Sequence, residues 1–160
     1  MMKRDIFIDN NIACRFSNPL DANIKELLVW LMDNHTIQEG DEDDRAILVV
    51  SNKLLAEYYR SCSGANGATS IPVLVNRLLQ EGRLMKISNE QIKEFKCQYF
   101  TKKVVKQLQS NIEDRDHIPV VLLSERKLAL TQDQKFAADL QSFPGFTVIV
   151  SNRPENISYK

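Results

Sequence analysis

A chain of 160 residues with 43% apolar and 26% charged side chains can bury one sizeable core but is too short for two full domains and a linker. Five Gly and five Pro are too few for a fibre or a disordered tract. Twenty-one basic residues balance twenty-one acidic ones, so any nucleic-acid contact must come from a local basic face. We therefore expect residues 1–160 to form a single domain.

The first apolar run, residues 5–8, is preceded only by Met1-Met2-Lys3-Arg4 and followed at once by Asp9. That leaves no stretch able to serve as a signal peptide or membrane span, so the expected setting is the cytoplasm without a membrane partner. The run predicts a strand. Asp9 then stands at its carboxyl end, although Asp9-Asn10-Asn11 also reads as a turn. Helical spacing follows in Ile24, Leu27, Leu28 and Leu31, after Pro19 and the capping candidate Asp21.

The acidic run at residues 39–44 reads as a solvated loop. Residues 46–50 predict a second strand, and a helix beginning after Ser51 or Asn52 turns Leu54, Leu55, Tyr58 and Cys62 toward the core. Glu57 lies on that helix. Taken alone it reads as a partner of Lys53 (i, i+4) or Arg60 (i, i+3) on the wet face. The Gly/Ser/Ala/Asn stretch at residues 61–69 reads as a mobile loop, and its Gly64-Ala-Asn-Gly67 lacks the setting of a nucleic-acid clamp.

Ser70 can cap a third helix with Pro72 in its first turn, a stripe of Ile71, Leu74, Val75, Leu78 and Leu79, and Gly82 at its end. After a strand at residues 84–87, two shorter helical patterns follow, one with Ile92 and Phe95 and the other with Val104, Val105 and Leu108, broken near residues 99–101. Lys93, Lys96, Lys102, Lys103 and Lys106 form the densest cationic supply there, with Arg15 near Asp9; a wet helix face explains the lysines as simply. Tyr58 and Tyr59 read as core before they read as base-stacking platforms.

Pro119 forbids a helix running through Arg115, which puts Asp116 at a helix start. Asp114 is a second acid in the same turn and an alternative ligand. Val120 to Leu123 supply the buried face of that helix. Residues 128–131 predict a fourth strand, with Thr131 and Asp133 at its end. Residues 134–141, with Phe136, Ala137 and Leu140 at core spacing, predict a last helix, and residues 147–150 a fifth strand. Cys14, Cys62 and Cys97 carry no CxxC pairing and read as reduced, packed thiols. His117, after Asp116, could contact a phosphate, but His35 and His117 read first as isolated exposed histidines.

Continuous apolarity in Ile47-Leu48-Val49-Val50 and Val148-Ile149-Val150 is the mark of strands covered on both faces. With the strand–helix alternation it predicts a three-layer α/β/α doubly wound fold on a mostly parallel five-stranded sheet. Such sheets bind ligands beyond the carboxyl ends of their strands. Asp9, Glu57, Asp116 and Asp133 all fall near that edge. Apposed carboxylates repel, and a divalent cation between them resolves the repulsion.

Ile6-Phe-Ile-Asp9, Leu55-Ala-Glu57, Asp116-His-Ile-Pro-Val-Val and Leu130-Thr-Gln-Asp133-Gln-Lys-Phe136 together resemble the PIN domain family of metal-dependent ribonucleases over most of the chain. The resemblance implies that Asp9, Glu57, Asp116 and Asp133 hold Mg²⁺ or Mn²⁺, with Thr131 in support. It implies RNA phosphodiester hydrolysis, with RNA as substrate and an antitoxin protein or a second copy of the chain as candidate partners. Asn10 and His117 depart from the residues usual at their positions. The competing reading is a non-catalytic RNA- or protein-binding module on the same fold. No Walker GxxxxGK or GxSxG motif occurs. A haloacid-dehalogenase phosphatase would want an acid where Asn11 stands, and a receiver an Asp where Ile87-Ser88-Asn89 lies.

Overall fold

The computed structural model describes residues 2–33, 43–61, 67 and 69–160. Five apolar segments pair as strands: β1 (Arg4–Ile8), β2 (Ala46–Ser51), β3 (Leu84–Ile87), β4 (Leu128–Leu130) and β5 (Ile149–Ser151). Their order is β3-β2-β1-β4-β5, and every neighbouring pair is parallel. Ile6 lies opposite Leu48 and Ile8 opposite Leu130, so the ends of β1 and β4 are level.

The helices are α1 (Asn10–Ala13), α2 (Ala22–Met32), α3 (Asn52–Ser61), α4 (Ile71–Gln80), α5 (Asn89–Tyr99), α6 (Lys102–Gln107), α7 (His117–Leu122) and α8 (Gln134–Ser142). The chain winds outward from β1 to β3, crosses back, and adds β4 and β5 on the other side of β1. Parallel crossovers are right-handed, so helices before β3 cover one face and those after it the other. Strand order reverses between β1 and β4, which is where such folds open a crevice.

Local sequence explains most boundaries. Asp21 accepts from the N–H groups of Asn23 and Ile24 at the start of α2, and Ser88 forms a capping box with Gln91 at the start of α5. Gly82, at φ +69°, ends α4 in the left-handed conformation that favours glycine. The break between α5 and α6 falls at Phe100 and Thr101, and Thr101 caps α6. One hydrophobic core runs from Ile6 to Tyr159 and includes Phe7, Phe16, Leu48, Leu54, Tyr58 and Phe136. Each such side chain contributes on the order of 1.5–3 kcal/mol by leaving water.

Several expectations need correction. α1 and the 3₁₀ turn after it, Cys14–Ser17, carry no four-residue periodicity long enough to read, yet they bury Ile12, Ala13 and Phe16. β2 is buried throughout, but β5 is an edge strand, with Ile149 54% exposed despite its apolar run. Leu79 and Leu123 turn outward from their helices, and Ser70 precedes α4 without a side-chain cap bond. Cys14 and Cys97 are exposed, not packed, because each sits on the wet side of its turn or helix. Cys62, His35, residues 39–42 of the acidic run and most of the 61–69 loop lie outside the described residues. Among the described residues no helix is long and apolar enough to cross a membrane.

Candidate metal centre

The end of β1 places Asp9 at the crevice, where its backbone N–H donates to Leu130 O at 2.8 Å and so ties it to β4. Its Oδ1 accepts from the Asn10 N–H at 2.8 Å and caps α1. Its Oδ2 accepts from Thr131 Oγ1 at 2.6 Å. The same Thr131 oxygen accepts from the Asp133 N–H at 3.0 Å, so one buried hydroxyl links the two acids that follow β1 and β4. Asp133 caps α8 through Oδ1 alone, with bonds from Lys135 N at 3.0 Å and Phe136 N at 3.1 Å. Capping therefore leaves its second oxygen open to other use.

Glu57 reaches the crevice from the second turn of α3. Tyr58, fully buried beside it, donates its hydroxyl to Ile8 O and so fixes α3 against the end of β1. The Glu57 carboxylate does not pair with Lys53 or Arg60 as a surface residue would. Both its oxygens face His117 Nε2, at 3.0 and 3.1 Å. His117 is 1% exposed, packed against Phe7 and Phe136, with Nδ1 lacking a hydrogen-bond partner among the described residues. The expectation of an exposed histidine fails because His117 opens a helix whose next five residues are all buried.

The two acids before α7 separate. Asp114–Asp116 is a 3₁₀ turn, in which residues three apart eclipse and residues two apart diverge. Asp114 consequently lines up with His117, and one ligand atom from each of Glu57, Asp114 and His117 fits within 4.8 Å. Asp116 points elsewhere: it makes no cap bond, and its carboxylate is held by Lys96 and, at 3.4 Å, by Lys53. Pro119 does fix the helix start, as the sequence indicates, but the turn before it selects Asp114 for the cluster.

Electrostatics ties the acids together. Burial first, and Glu57 in smaller measure, push Asp9 above the ordinary carboxylate range, against the Thr131 hydrogen bond and the charge of His117. Burial also raises Asp114, and the charges of Asp133, Asp9 and Glu57 add to it. Burial acts on Glu57 in the same direction, but His117, with Lys53 and Arg60, outweighs it and holds Glu57 low. Carboxylates that feel one another in this way, with an imidazole among them, form a donor set suited to a hard or borderline divalent ion. The cluster of Glu57, Asp114 and His117 can hold a metal ion, with Asp9 and Asp133 beside it.

Sequence reasoning weighed His117 as exposed or as a phosphate contact and missed its burial against Glu57, although its apolar neighbours Ile118, Pro119, Val120 and Val121 signalled a buried helix start. For Glu57 taken alone it offered Lys53 or Arg60 as a surface partner, whereas Lys53 bonds Glu113 O and Asp116.

Fold and site together define an all-parallel α/β protein with an acidic, cation-ready crevice at the point where strand order reverses. No protein-family model matches the chain, and no curated protein matches it. Among solved structures it is similar to VapBC2 from Rickettsia felis, crystallised bound to a DNA fragment from their promoter. That match has a TM-score of 0.56 and 17% identity and covers 93% of this chain and 98% of the other. At such identity the likeness is one of fold.

Proposed function

We propose that the protein is a PIN-type, divalent-metal-dependent endoribonuclease that hydrolyses RNA phosphodiester bonds, with residues 1–160 acting as one domain in the cytoplasm. The observation that carries this reading is the meeting of Glu57, Asp114 and His117 within 4.8 Å at the ligand edge of a parallel sheet, beside Asp9. The sequence motifs that resemble PIN domains support it independently of that geometry. The fold shared with VapBC2, a protein solved on DNA of its own promoter, supports a toxin role with an antitoxin as protein partner.

In this reading Asp9, Glu57 and Asp133 hold Mg²⁺ or Mn²⁺ together with a fourth acid, for which the geometry favours Asp114 over Asp116. A bound divalent ion supplies Lewis acidity toward the scissile phosphate and the attacking water. The chain's own residues do the rest. Thr131 holds Asp9 and the start of the Asp133 turn in register through one hydroxyl. His117 orients Glu57 by facing both of its oxygens, the kind of outer contact that fixes a ligand's direction. Phe7 and Phe136 wall the imidazole away from water.

The test is cleavage of labelled RNA by the purified chain with Mn²⁺. Activity that disappears with EDTA and with Asp9→Asn is expected. Cleavage indifferent to both would refute the reading, and retained RNA binding without metal binding would favour the non-catalytic module instead.

A further inference from the structure

Beside the metal cluster lies a second constellation that the acids do not explain. Lys53, on α3, and Lys96, on α5, come from opposite helical layers and converge on one carboxylate. Lys53 Nζ lies 3.4 Å from Asp116 Oδ2, and Lys96 Nζ bonds Asp116 Oδ1. Each lysine side chain is about one-third exposed, so neither is cut off from solvent. Of the five lysines between residues 93 and 106, Lys93, Lys102, Lys103 and Lys106 are exposed; Lys96 alone is half-buried and turned to the site.

A carboxylate gripped through both oxygens by two ammonium groups occupies the place that two non-bridging oxygens of a phosphate would take. Asp116 alone does not neutralise both ammonium groups, and Lys53 also faces the charge of Glu57. Burial first, then repulsion from Lys53 and Arg115, lowers Lys96. Lys53 is four residues before Glu57 on the same helix face, which sets the pair beside the metal cluster.

We propose that Lys53 and Lys96 form a clamp for a backbone phosphate of the RNA strand adjoining the metal centre, with Asp116 filling it as an internal anion until the strand binds. This rests on the ribonuclease reading and adds to it the residues that seat the substrate. Asp116 is then a gate on the lysines, not a metal ligand. Displacing it costs the strand some affinity and favours polyanions, which bring several phosphates, over single small anions.

The test has two arms. In EDTA, binding of a fluorescein-labelled single-stranded oligoribonucleotide is followed across a salt series. The Lys53→Ala/Lys96→Ala protein should lose several-fold affinity, and its log–log salt slope should fall by about 0.7, the figure for one phosphate contact on a single strand. Lys93→Ala/Lys102→Ala, with the same change of charge on the exposed faces, should leave the slope nearly unchanged. Because Lys53 also bonds Glu113 O, Lys96→Ala alone guards against misfolding, with half the slope change expected and recovery in Lys96→Arg.

In the second arm, Asp116→Asn should tighten RNA binding several-fold beyond Glu90→Gln, which removes an equal charge at an exposed position. Calorimetry should find its Mn²⁺ affinity within twofold of the unaltered protein. Equal slopes for the two double-lysine proteins, or a tenfold loss of Mn²⁺ affinity in Asp116→Asn, would overturn the proposal. The salt series needs no ion, so the clamp fails or stands by it, whereas the ribonuclease reading falls separately if the unaltered chain binds no Mn²⁺.

Discussion

Asp139 and Asp5 are about 1% exposed, and each is surrounded by donors. Asp139 accepts from the backbone N–H groups of Gln109 and Ser110, both at 2.8 Å, and from the Ser110 hydroxyl. Asp5 accepts from the N–H groups of Glu125 at 2.7 Å and Arg126 at 2.9 Å. Asp9 and Glu57 also have partners, in Asn10 N–H, Thr131 and His117, but Asp9, Glu57 and Asp114 feel one another's charge as well, and burial raises Asp9 and Asp114 above their ordinary range. A buried carboxylate with private N–H donors is complete as it stands and serves the fold. One that meets other carboxylates is incomplete until a cation joins it, and that incompleteness marks the site.

The sharpest way to break this contrast is to empty a satisfied position. Asp139→Ala strands three donors in the segment leading into the Asp114 turn, and leaving buried donors unpaired costs on the order of 3 kcal/mol or more in total. Urea unfolding should show that loss as a shifted midpoint. A change under about 1 kcal/mol would mean that Asp139 is not the structural acid its donors indicate.

At the site the order of effects should invert. Asp114→Asn and Glu57→Gln should each lower Mn²⁺ affinity at least tenfold, about 1.4 kcal/mol, while changing stability in EDTA by less than that. Calorimetry and thermal melts on the same samples separate the two quantities. Unchanged Mn²⁺ affinity in Asp114→Asn would return the fourth ligand position to Asp116 and remove the distinction between them.

Much of the fold was legible because its signals are local and long enough to repeat. β2 reads as a doubly covered strand from Ile47-Leu48-Val49-Val50 alone, and α2 from the spacing of Ile24, Leu27, Leu28 and Leu31. α1 and the Cys14–Ser17 turn were not, since neither completes the two turns that periodicity requires. In the site, Asp9, Thr131 and Asp133 could be placed because each directly follows a strand whose end is readable. The Glu57–His117 contact joins residues sixty apart on different layers, and no pattern along the chain encodes it. The choice between Asp114 and Asp116 depended on whether the turn before Pro119 is 3₁₀ or open, which composition does not specify.

The smallest effect is the most exacting, because its sign differs between conditions. Asp9 titrates higher folded than unfolded, chiefly through burial, so between those two pKa values the native state holds more protons than the unfolded one. Its protonated form favours folding, and stability is lost as pH rises through that window and stays lost above it. Asp9→Asn removes the charge yet keeps an oxygen for Asn10 N–H, so at pH 7 in EDTA it should melt a few degrees higher, roughly 2–4 °C per kcal/mol at this size. The advantage should shrink to nothing once acid has protonated Asp9 in both states. Glu57, held low by His117, works the other way and weakens the fold on acidification in both proteins, so the comparison must be of their difference. Saturating Mn²⁺ should reverse the order at pH 7, since only the native state with its acids ionised gains from binding the ion. If Asp9→Asn melts lower than the unaltered chain in EDTA, Asp9 belongs with Asp139 and Asp5 among the satisfied acids, and the crevice loses the member that sits where strand order reverses.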